Sequence, residues 1–417
     1  MKVLTTKEKE INFIHEAFAH YYRENSSKIV PPKDFEKREF GFSLFREGLM
    51  IRHIGFSEKN ELKRFLMKNV PKDAYYSSAY YKDPREEMDK KGWLGADLIF
   101  DIDADHIPTP CKKEHDFWSC RDCGLTQTGE APTKCPNCEG ERIVANSWPC
   151  EVCLESAKRE VLKLIEILMD DFGFSTQELK IYYSGHRGYH VHIESEQITL
   201  LSSEERKEIV DYLQATGIDL RYHGLSGVRS LSMKGPDLSD SGWRGRIARS
   251  LYDFMLKKNL EEELLKLGLR KRAVSSIIEK REKILDRWKG KGPWGLIGGV
   301  GLRTWSRIVE GAIKSQAVNV DSVVTTDTHR LIRMGGTLHS KTGFIKKQIP
   351  IHNLEEFNPF NDAVVFDEEE IKVYIPKAPK FILKNQVFGP FKDCKAELPK
   401  AAAILLICKG MARLEQA

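Results

Sequence analysis

The alternation of apolar and polar residues along the chain predicts a protein that mixes helices and strands. Helical patterns occur in residues 5–24 and 154–174, where apolar residues recur three and four positions apart, and in a short closing segment at 401–414. Strand patterns occur in residues 38–56 on both sides of the turn "REG", in 179–194 on both sides of "GHRG", in 321–333 and in 343–351. Strands and helices that follow one another in this way favour a mixed α/β (α+β) fold.

One predicted strand carries more acid than a buried strand tolerates. In "ADLIFDIDADHIPTPC" (96–111), alternation assigns Leu98, Phe100, Ile102 and Ala104 to one face and Asp97, Ile99, Asp101 and Asp103 to the other. Neighbouring carboxylates repel one another, and partial burial makes that repulsion costly unless a cation neutralises it. The segment is therefore either a metal-binding edge or a strand end whose acids are solvated.

Residues 243–316 differ from the rest of the chain in their pattern. Helical spacing and charge dominate there, as in "LKKNLEEELLKLGLRKRAVSSIIEKREKILDRWKG", and no strand pattern interrupts them. We expect an all-helical insertion in the α/β fold.

Composition narrows the class of protein. With 417 residues, of which 41% are hydrophobic and 30% charged, the chain is long enough for two or three globular domains. Its net charge of +5 does not by itself indicate nucleic-acid binding. The first residues lack the apolar core of a secretory signal, and the longest apolar run, 401–408, is too short to span a bilayer. We therefore expect a soluble cytoplasmic protein with no membrane contact.

Seven of the nine cysteines lie between Cys111 and Cys153, and six of them form CxxC pairs. In an intracellular protein such pairs favour zinc over disulfides. The layout of "CRDCGLTQTGEAPTKCPNC" is that of a zinc ribbon, with the ligands Cys120, Cys123, Cys135 and Cys138. A second set of four ligands consists of Cys111, His115, Cys150 and Cys153, although nearby sites can exchange partners. Both zinc ions are expected to be structural, because neither set leaves an open position.

Two further segments collect side chains that bind phosphate. In "YYSGHRGYHVHI", a turn brings together Ser184, His186 and Arg187, and the next strand places His190 and His192 on one face. In "DSVVTTDTHRLIRMGGTLHSKTG", carboxylates and cations recur together: Asp321, Asp327, His329, Arg330, Arg333, His339 and Lys341. An exposed hairpin and a charged surface loop are the alternative explanations of the two segments.

Carboxylates and phosphate-binding cations together are what two-metal nucleotidyl transfer requires. Aspartates hold two divalent cations, Mg²⁺ or Mn²⁺, which activate the attacking hydroxyl and stabilise the charge on the α-phosphate. Arginine, lysine and histidine bind the triphosphate and neutralise the departing pyrophosphate. The acids of segment 96–111 are therefore predicted to hold metal.

Three segments, "FDIDADH", "YYSGHRGYHVH" and "THRLIRMGGTLHSKTG", resemble in order and spacing the catalytic small subunit of the archaeal and eukaryotic replicative DNA primase. The similarity extends from "REFGFSLFREGLMIRHIGF" to "LPKAAAILLICKGMARL" and is closest to the archaeal branch. It implies the primase catalytic core and the synthesis of short RNA primers, in archaea often DNA, from NTP or dNTP substrates on a single-stranded DNA template. It also implies a primase large subunit as partner, in a primosome at the nucleoid.

The resemblance also assigns roles to individual residues. The family's metal-binding catalytic carboxylates correspond to Asp101, Asp103 and Asp321; Asp321 is preferred to Asp327 because of its distance from His339. The family's nucleotide-binding residues correspond to Arg52, Ser184, Arg187, His190, His339 and Lys341. Many relatives carry a single zinc knuckle at the positions of Cys111, His115, Cys150 and Cys153, and here the ribbon is inserted within it. The ribbon could bind template, contact the partner or stiffen the domain.

These assignments divide the chain into five segments. The catalytic core comprises 1–110, 154–242 and 317–417 with the closing helix, and it is interrupted by the zinc-binding region 111–153 and the helical insertion 243–316. A related primase-polymerase of repair or plasmid replication would share the catalytic motifs. A non-catalytic zinc-ribbon protein that binds nucleic acid would not need Asp101 and Asp103, and a DxD glycosyltransferase would leave the zinc-binding region unexplained.

Overall fold

A computed structural model describes residues 6–45, 50–225, 235–288, 292–295 and 300–415. The chain packs as two compact units. The first unit comprises Met1–Arg159, Gln177–Lys207 and Val320–Ala417, and the second comprises Glu160–Thr176 and Glu208–Asn319.

Strands are confined to the first unit among the described residues. They are β1 (Phe40–Ser43), β2 (Met50–Ile54), β3 (Asp73–Ser77), β4 (Ala79–Tyr81), β5 (Trp93–Ala96), β6 (Leu98–Asp103), β7 (Phe117–Cys120), β8 (Thr126–Thr128), β9 (Ile143–Asn146), β10 (Leu179–Tyr183), β11 (Gly188–Ile193), β12 (Leu331–Arg333), β13 (Lys347–Ile349), β14 (Glu370–Ala378), β15 (Phe381–Leu383), β16 (Gln386–Phe388), β17 (Phe391–Pro399) and β18 (Arg413–Leu414).

Helices occur in both units. They are α1 (Thr6–Asn25), α2 (Lys59–Asn69), α3 (Lys112–His115), α4 (Glu151–Asp170), α5 (Ser203–Leu213), α6 (Gly242–Leu256), α7 (Leu260–Lys266), α8 (Lys271–Glu279), α9 (Arg281–Arg287), α10 (Leu302–Ile313), α11 (Ser322–Thr326), α12 (Pro359–Asp362) and α13 (Lys400–Cys408). The mixed α/β class is therefore confirmed. In the part of the chain that the structure describes, no helix combines the length and apolarity needed to cross a membrane.

Two four-stranded antiparallel sheets form the centre of the first unit, in the orders β12-β3-β1-β2 and β13-β10-β11-β6. Smaller sheets are β17-β14-β18, β15-β16, β4-β5 and, in the zinc-binding region, β8-β7-β9. The predicted strands on both sides of "REG" are β1 and β2, whereas the turn itself lies outside the described residues. The predicted hairpin around "GHRG" is formed by β10 and β11.

The alternation predicted for the acidic strand is present in β6. Leu98, Phe100 and Ile102 are completely buried on one face, and Ala104 just beyond the strand is also buried. On the other face, Ile99 packs against Val324 and Ile332, while Asp101 and Asp103 are only partly buried. β6 thus contributes to the core with one face and presents its acids at the end of the other.

The second unit is helical over the described residues of 208–319. Its core lies among α6 to α10 and includes Ile247, Leu251, Ile277, Trp305 and Ile308. One buried ion pair, between Arg246 Nε and Asp171 Oδ2 at 2.8 Å, lies within this unit. Apolar residues at helical spacing explain the packing, because each helix buries one stripe against its neighbours.

The prediction of a strand over the start of 321–333 is wrong. Residues Ser322–Thr326 form the short helix α11, and only Leu331–Arg333 form a strand. Asp321 caps this helix, since its side chain accepts a hydrogen bond from the backbone N–H of Val323 at 2.9 Å. A capping aspartate offsets the β-branched residues that follow it, which by propensity favour strand.

Candidate active site

The sheet register brings the acidic strand and the histidine strand together. β6 pairs with β11 so that Asp101 lies opposite His190 and Asp103 lies opposite Gly188. The Asp101 carboxylate is 3.5 Å from Nε2 of His190. Only glycine fits at 188, because a Cβ there would lie 2.3 Å from the carbonyl oxygen of Ile102. The acids and the predicted phosphate-binding turn therefore share one end of this sheet.

The third predicted acid lies beside the first. The backbone N–H of Asp321 donates to the carbonyl oxygen of Asp101 at 2.9 Å, which ties the start of α11 to β6. Asp327 has a different setting: its carboxylate accepts from the backbone N–H of His329 at 2.9 Å. The structure thus brings Asp321, and not Asp327, next to the acidic strand.

The electrostatics of Asp101 reflect this crowding. Burial, together with the negative charges of Asp103 and Asp321, raises the pKa of Asp101 to about 7. The positive charges of Lys346 and Arg330 lower this pKa, but by less than the other effects raise it. The pKa of Asp103 is also raised, mainly by burial and by the charge of Asp105. Partly buried carboxylates with too little positive charge around them fit a divalent cation, and oxygen ligands suit Mg²⁺ or Mn²⁺.

The three carboxylates are adjacent without being gathered into a closed cage. Within the described ranges, the ligand groups whose donor atoms all lie within 4.8 Å of one another are the two cysteine-containing sets, and the acids are not among them. An open arrangement of this kind suits Mg²⁺, which keeps several waters and shares its coordination with phosphate oxygens.

A buried lysine that the sequence analysis did not select, Lys346, orients the histidine His190. Nζ of Lys346 lies 3.1 Å from Nδ1 of His190, 3.4 Å from Nε2 of His192 and 2.8 Å from the carbonyl oxygen of Arg333. Burial and these neighbouring charges hold the pKa of His190 well below its usual value, so its ring is neutral. Because an N–H of Lys346 donates to Nδ1, the ring proton is assigned to Nε2, which faces Asp101.

The turn between β10 and β11 holds the predicted serine and arginine. The hydroxyl oxygen of Ser184 accepts from the backbone N–H groups of His186 at 3.3 Å and Gly188 at 3.2 Å, which leaves its own proton available to a ligand. Arg187 is completely buried, and its Nη1 lies 2.6 Å from Asp105 and 3.3 Å from Asp116. Its guanidinium is therefore held by carboxylates at the edge of the acid cluster.

His339 and Lys341 come from a loop that meets this turn. The His339 ring stacks on His186 with centroids 5.0 Å apart, and the backbone N–H of Lys341 donates to Nδ1 of His339 at 3.1 Å. The Lys341 side chain is exposed. Lys409 joins the cluster with its Nζ 2.6 Å from Nε2 of His186; burial and the charges of Arg187 and Lys341 lower the pKa of Lys409 to about 7. Cations crowded in this way favour an anionic ligand.

These side chains surround one cavity of about 190 Å³. It is lined by the predicted residues Asp101, Asp103, Ser184, Arg187, His190 and His339, and also by Tyr75, His186, Arg330 and Arg333. The predicted residues that do not line it are Asp321, Lys341 and Arg52. Arg52 lies in β2, and its Nε donates to Glu39 at 3.0 Å. A larger cavity of about 530 Å³ beside α4 contains none of the predicted catalytic residues. We take the smaller cavity as the candidate active site because of its chemistry.

The eight predicted zinc ligands form two groups. In the knuckle group, Cys111 Sγ lies 3.6 Å from Cys150 Sγ and 3.4 Å from Cys153 Sγ, which is 3.5 Å from Nε2 of His115. In the ribbon group, the Sγ–Sγ distances are 3.6 Å for Cys120 with Cys138 and 3.6 Å for Cys123 with Cys135. These distances approach the ~3.8 Å edge of a tetrahedron with zinc–sulfur bonds of about 2.3 Å. Both groups therefore fit zinc.

Comparison with known proteins identifies the family of the chain. The family model described as "DNA primase small subunit" matches residues 145–351. Three archaeal proteins named "DNA primase small subunit PriS" are similar over almost the whole chain. That of Nitrosopumilus maritimus is 31% identical over 98% of this chain and 99% of its own length. That of Cenarchaeum symbiosum is 33% identical over 97% of this chain and 99% of its own length. That of Methanosarcina mazei is 31% identical over 96% of this chain and 95% of its own length. From its acidic strand to its closing helix, the chain belongs to the family of the archaeal-type DNA primase small subunit.

Proposed function

We propose that this chain is the catalytic small subunit of a DNA primase, which joins nucleotides into short RNA primers on single-stranded DNA. The observation that carries the proposal is the meeting of Asp101 and Asp103 with the turn at Ser184–Gly188 around one cavity, with the backbone of Asp321 hydrogen-bonded to Asp101. Carboxylates for cations on one side and donors for phosphate on the other are the two requirements of nucleotidyl transfer. DNA primers from dNTP substrates are an extension of the same chemistry.

Asp101, Asp103 and Asp321 would hold two Mg²⁺ or Mn²⁺ ions. When bound, these ions activate the attacking hydroxyl and stabilise charge on the α-phosphate. The protein's own part is to keep the carboxylates adjacent through the hydrogen bond between Asp321 and Asp101 and the capping bond of Asp321. Burial and the charges of Asp103 and Asp321 raise the pKa of Asp101 to about 7, so a cation that binds there would displace a proton and relieve the repulsion between the acids.

The other side of the cavity would bind the triphosphate. Ser184 offers a hydroxyl proton, and neutral His190 offers the proton on Nε2. Burial and the nearby charge of Arg333 hold the pKa of His339 well below its usual value, so its neutral ring contributes hydrogen bonding and not charge. Lys341 supplies positive charge and is free to move toward a phosphate because its side chain is exposed. Arg187 contributes positive charge from its buried position between Asp105 and Asp116. Arg52, which pairs with Glu39 outside this cavity, would have to move to take part.

The test of the proposed function is de novo primer synthesis, in which no primer is annealed to the template. Purified protein with Mg²⁺ or Mn²⁺, single-stranded DNA and either NTPs or dNTPs should yield short labelled products and release pyrophosphate. The reaction is run with and without a primase large subunit, the partner that the small-subunit relatives imply. Absence of products with every metal, nucleotide set and partner would overturn the proposal.

An intracellular location with the replication machinery is part of the same proposal.

Lys341→Ala should weaken nucleotide use. Loss of one charge-assisted contact to phosphate corresponds to about 10- to 100-fold in nucleotide KM. Template affinity should stay within about twofold, since the contact is to the incoming nucleotide. Lys372→Ala is the matched control, because Lys372 is an exposed lysine of β14, which contributes no residue to the cavity, whereas the loop of Lys341 contributes His339. A 10- to 100-fold loss of single-stranded DNA affinity, with unchanged nucleotide KM, would show that Lys341 contacts the template and not the nucleotide.

The purified chain should contain two zinc ions, one in each cysteine-containing group. Cys120→Ser should release the ribbon zinc alone, and Cys150→Ser the knuckle zinc alone, because the groups share no ligand. Cys394→Ser is the control, as Cys394 lies in β17 and belongs to neither group. The measurement is elemental analysis of the full chain. A zinc content of one in the unmodified protein would leave one group without metal and contradict the expectation.

A further inference from the structure

Asp116 lies directly between the knuckle group and Arg187. Its Oδ1 is 2.8 Å from Nδ1 of His115, the nitrogen that does not face the cysteines. Both carboxylate oxygens lie 3.3 Å from Nη1 of Arg187, and Oδ1 also accepts from the backbone N–H of Trp148 at 2.9 Å. One carboxylate therefore contacts a predicted zinc ligand, a residue just before the CxxC pair of the knuckle group, and the buried arginine.

Arg187 in turn contacts the end of the acidic strand. Its Nη1 is 2.6 Å from Asp105, and the backbone N–H of Asp105 donates to Oδ1 of Asp103 at 2.8 Å. The carbonyl oxygen of Arg187 accepts from the backbone N–H of Ala104 at 2.9 Å. The side chain has no exposed surface, and Nη2 lies 3.8 Å from Sγ of Cys153. Arg187 is thus the point at which the knuckle group meets the cavity.

This arrangement has a known physical consequence in metal sites. A carboxylate that accepts from the second ring nitrogen of a ligating histidine fixes its tautomer and ring orientation. The effect acts in both directions, because a histidine fixed by metal also fixes the carboxylate. A buried guanidinium depends strongly on such a carboxylate, since loss of one partner leaves its charge uncompensated.

We propose that Asp116 is a positioning residue that couples the knuckle zinc group to the nucleotide site through Arg187. The knuckle would then do more than hold the fold: it would set where the guanidinium stands at the wall of the cavity. The ribbon group makes no equivalent contact among the described residues, since its Asp122 pairs with Arg142 within the ribbon. The inference rests on the proposed function for the identity of the ligand, a nucleoside triphosphate.

The test is a double-mutant cycle on the zinc-loaded full chain, with direct binding of ATP in the presence of Mg²⁺ as the readout. Asp116→Asn should raise the ATP dissociation constant about 10-fold, the lower end of the range for residues that orient metal ligands. Zinc content should remain two and template affinity should remain within about twofold. In an Arg187→Ala background, Asp116→Asn should change the ATP dissociation constant by less than about twofold further, because the contact between Asp116 and Arg187 is already absent. Asp122→Asn is the matched control and should leave ATP binding unchanged.

Two results would overturn the proposal. One is ATP binding by Asp116→Asn equal to that of the unmodified chain, and the other is effects of the two substitutions that multiply in the double variant. If Asp116→Asn loses zinc or fails to fold, the same cycle is measured with Asp116→Glu, which keeps the carboxylate but displaces it. A change in ATP affinity that disappears in the Arg187→Ala background is again expected. A chain that binds ATP in this manner but makes no primer would overturn the proposed function and leave the coupling intact.

Discussion

Asp101→Asn and Asp103→Asn should each reduce primer synthesis by about 1,000-fold or more. Asparagine keeps the size of the side chain but removes the negative charge that would hold a divalent cation, and loss of groups that stabilise developing charge has effects of this order. The fold should survive, because each substitution relieves repulsion between acids. Initial rates of nucleotide incorporation on an annealed primer, together with circular dichroism, measure both points.

The third acid provides a control within the same experiment. Asp321→Asn should behave like the other two, since Asp321 lies next to Asp101. Asp327→Asn should retain activity within a few-fold, because the Asp327 carboxylate accepts from the backbone N–H of His329 in its own turn. Near-normal incorporation by Asp101→Asn, or a severe loss with Asp327→Asn alone, would contradict the assignment of the carboxylates.

The same Asp101→Asn variant should be more stable than the unmodified chain at pH 8 when no magnesium or manganese is added. The pKa of Asp101 rises from 3.8 to about 7 on folding. Above pH 7 the folded chain must bury a charge that the unfolded chain exposes to water, so ionised Asp101 lowers the free energy of unfolding. The gain on substitution should be about 3 kcal/mol, somewhat less than the full shift because the side chain is partly exposed.

The sign of this pH dependence distinguishes it from ordinary acid denaturation. As the pH falls from 7 toward 4, Asp101 takes up a proton in the folded chain and the advantage of asparagine should disappear. Urea unfolding at pH 8, 6.5 and 5, with zinc retained, measures the trend. Added Mg²⁺ should narrow the difference at pH 8 if it binds the native unmodified site. A variant less stable than the unmodified chain at pH 8 would show that Asp101 is already neutralised within the protein.

Local patterns in the sequence were sufficient to predict the strand, the helix and the cysteine sets around the candidate active site. Alternation along 98–103 separated the buried face of β6 from its acids, and the apolar spacing in 154–174 predicted α4. Paired cysteines indicated two zinc-ligand sets, which the structure gathers as two groups. Such features depend on neighbours in sequence, whose periodicity follows from the geometry of strand, helix or chelating turn. The strand predicted at Ser322–Thr326 failed because a capping aspartate outweighed β-branched propensity.

Tertiary structure alone decided which distant residues serve the site. Lys346 contacts His190 across 156 positions, and Asp116 contacts Arg187 across 71. Lys409 reaches His186 from the end of the closing helix. In the sequence these residues look like ordinary surface charges, since burial and pairing are properties of the folded chain. By itself the sequence determined the acidic strand, the zinc-ligand spacing and the mixed fold class. The packing of the sheet against the loops at 337–346 and 409 decided which charges are buried together, because only contact between remote segments removes water from them.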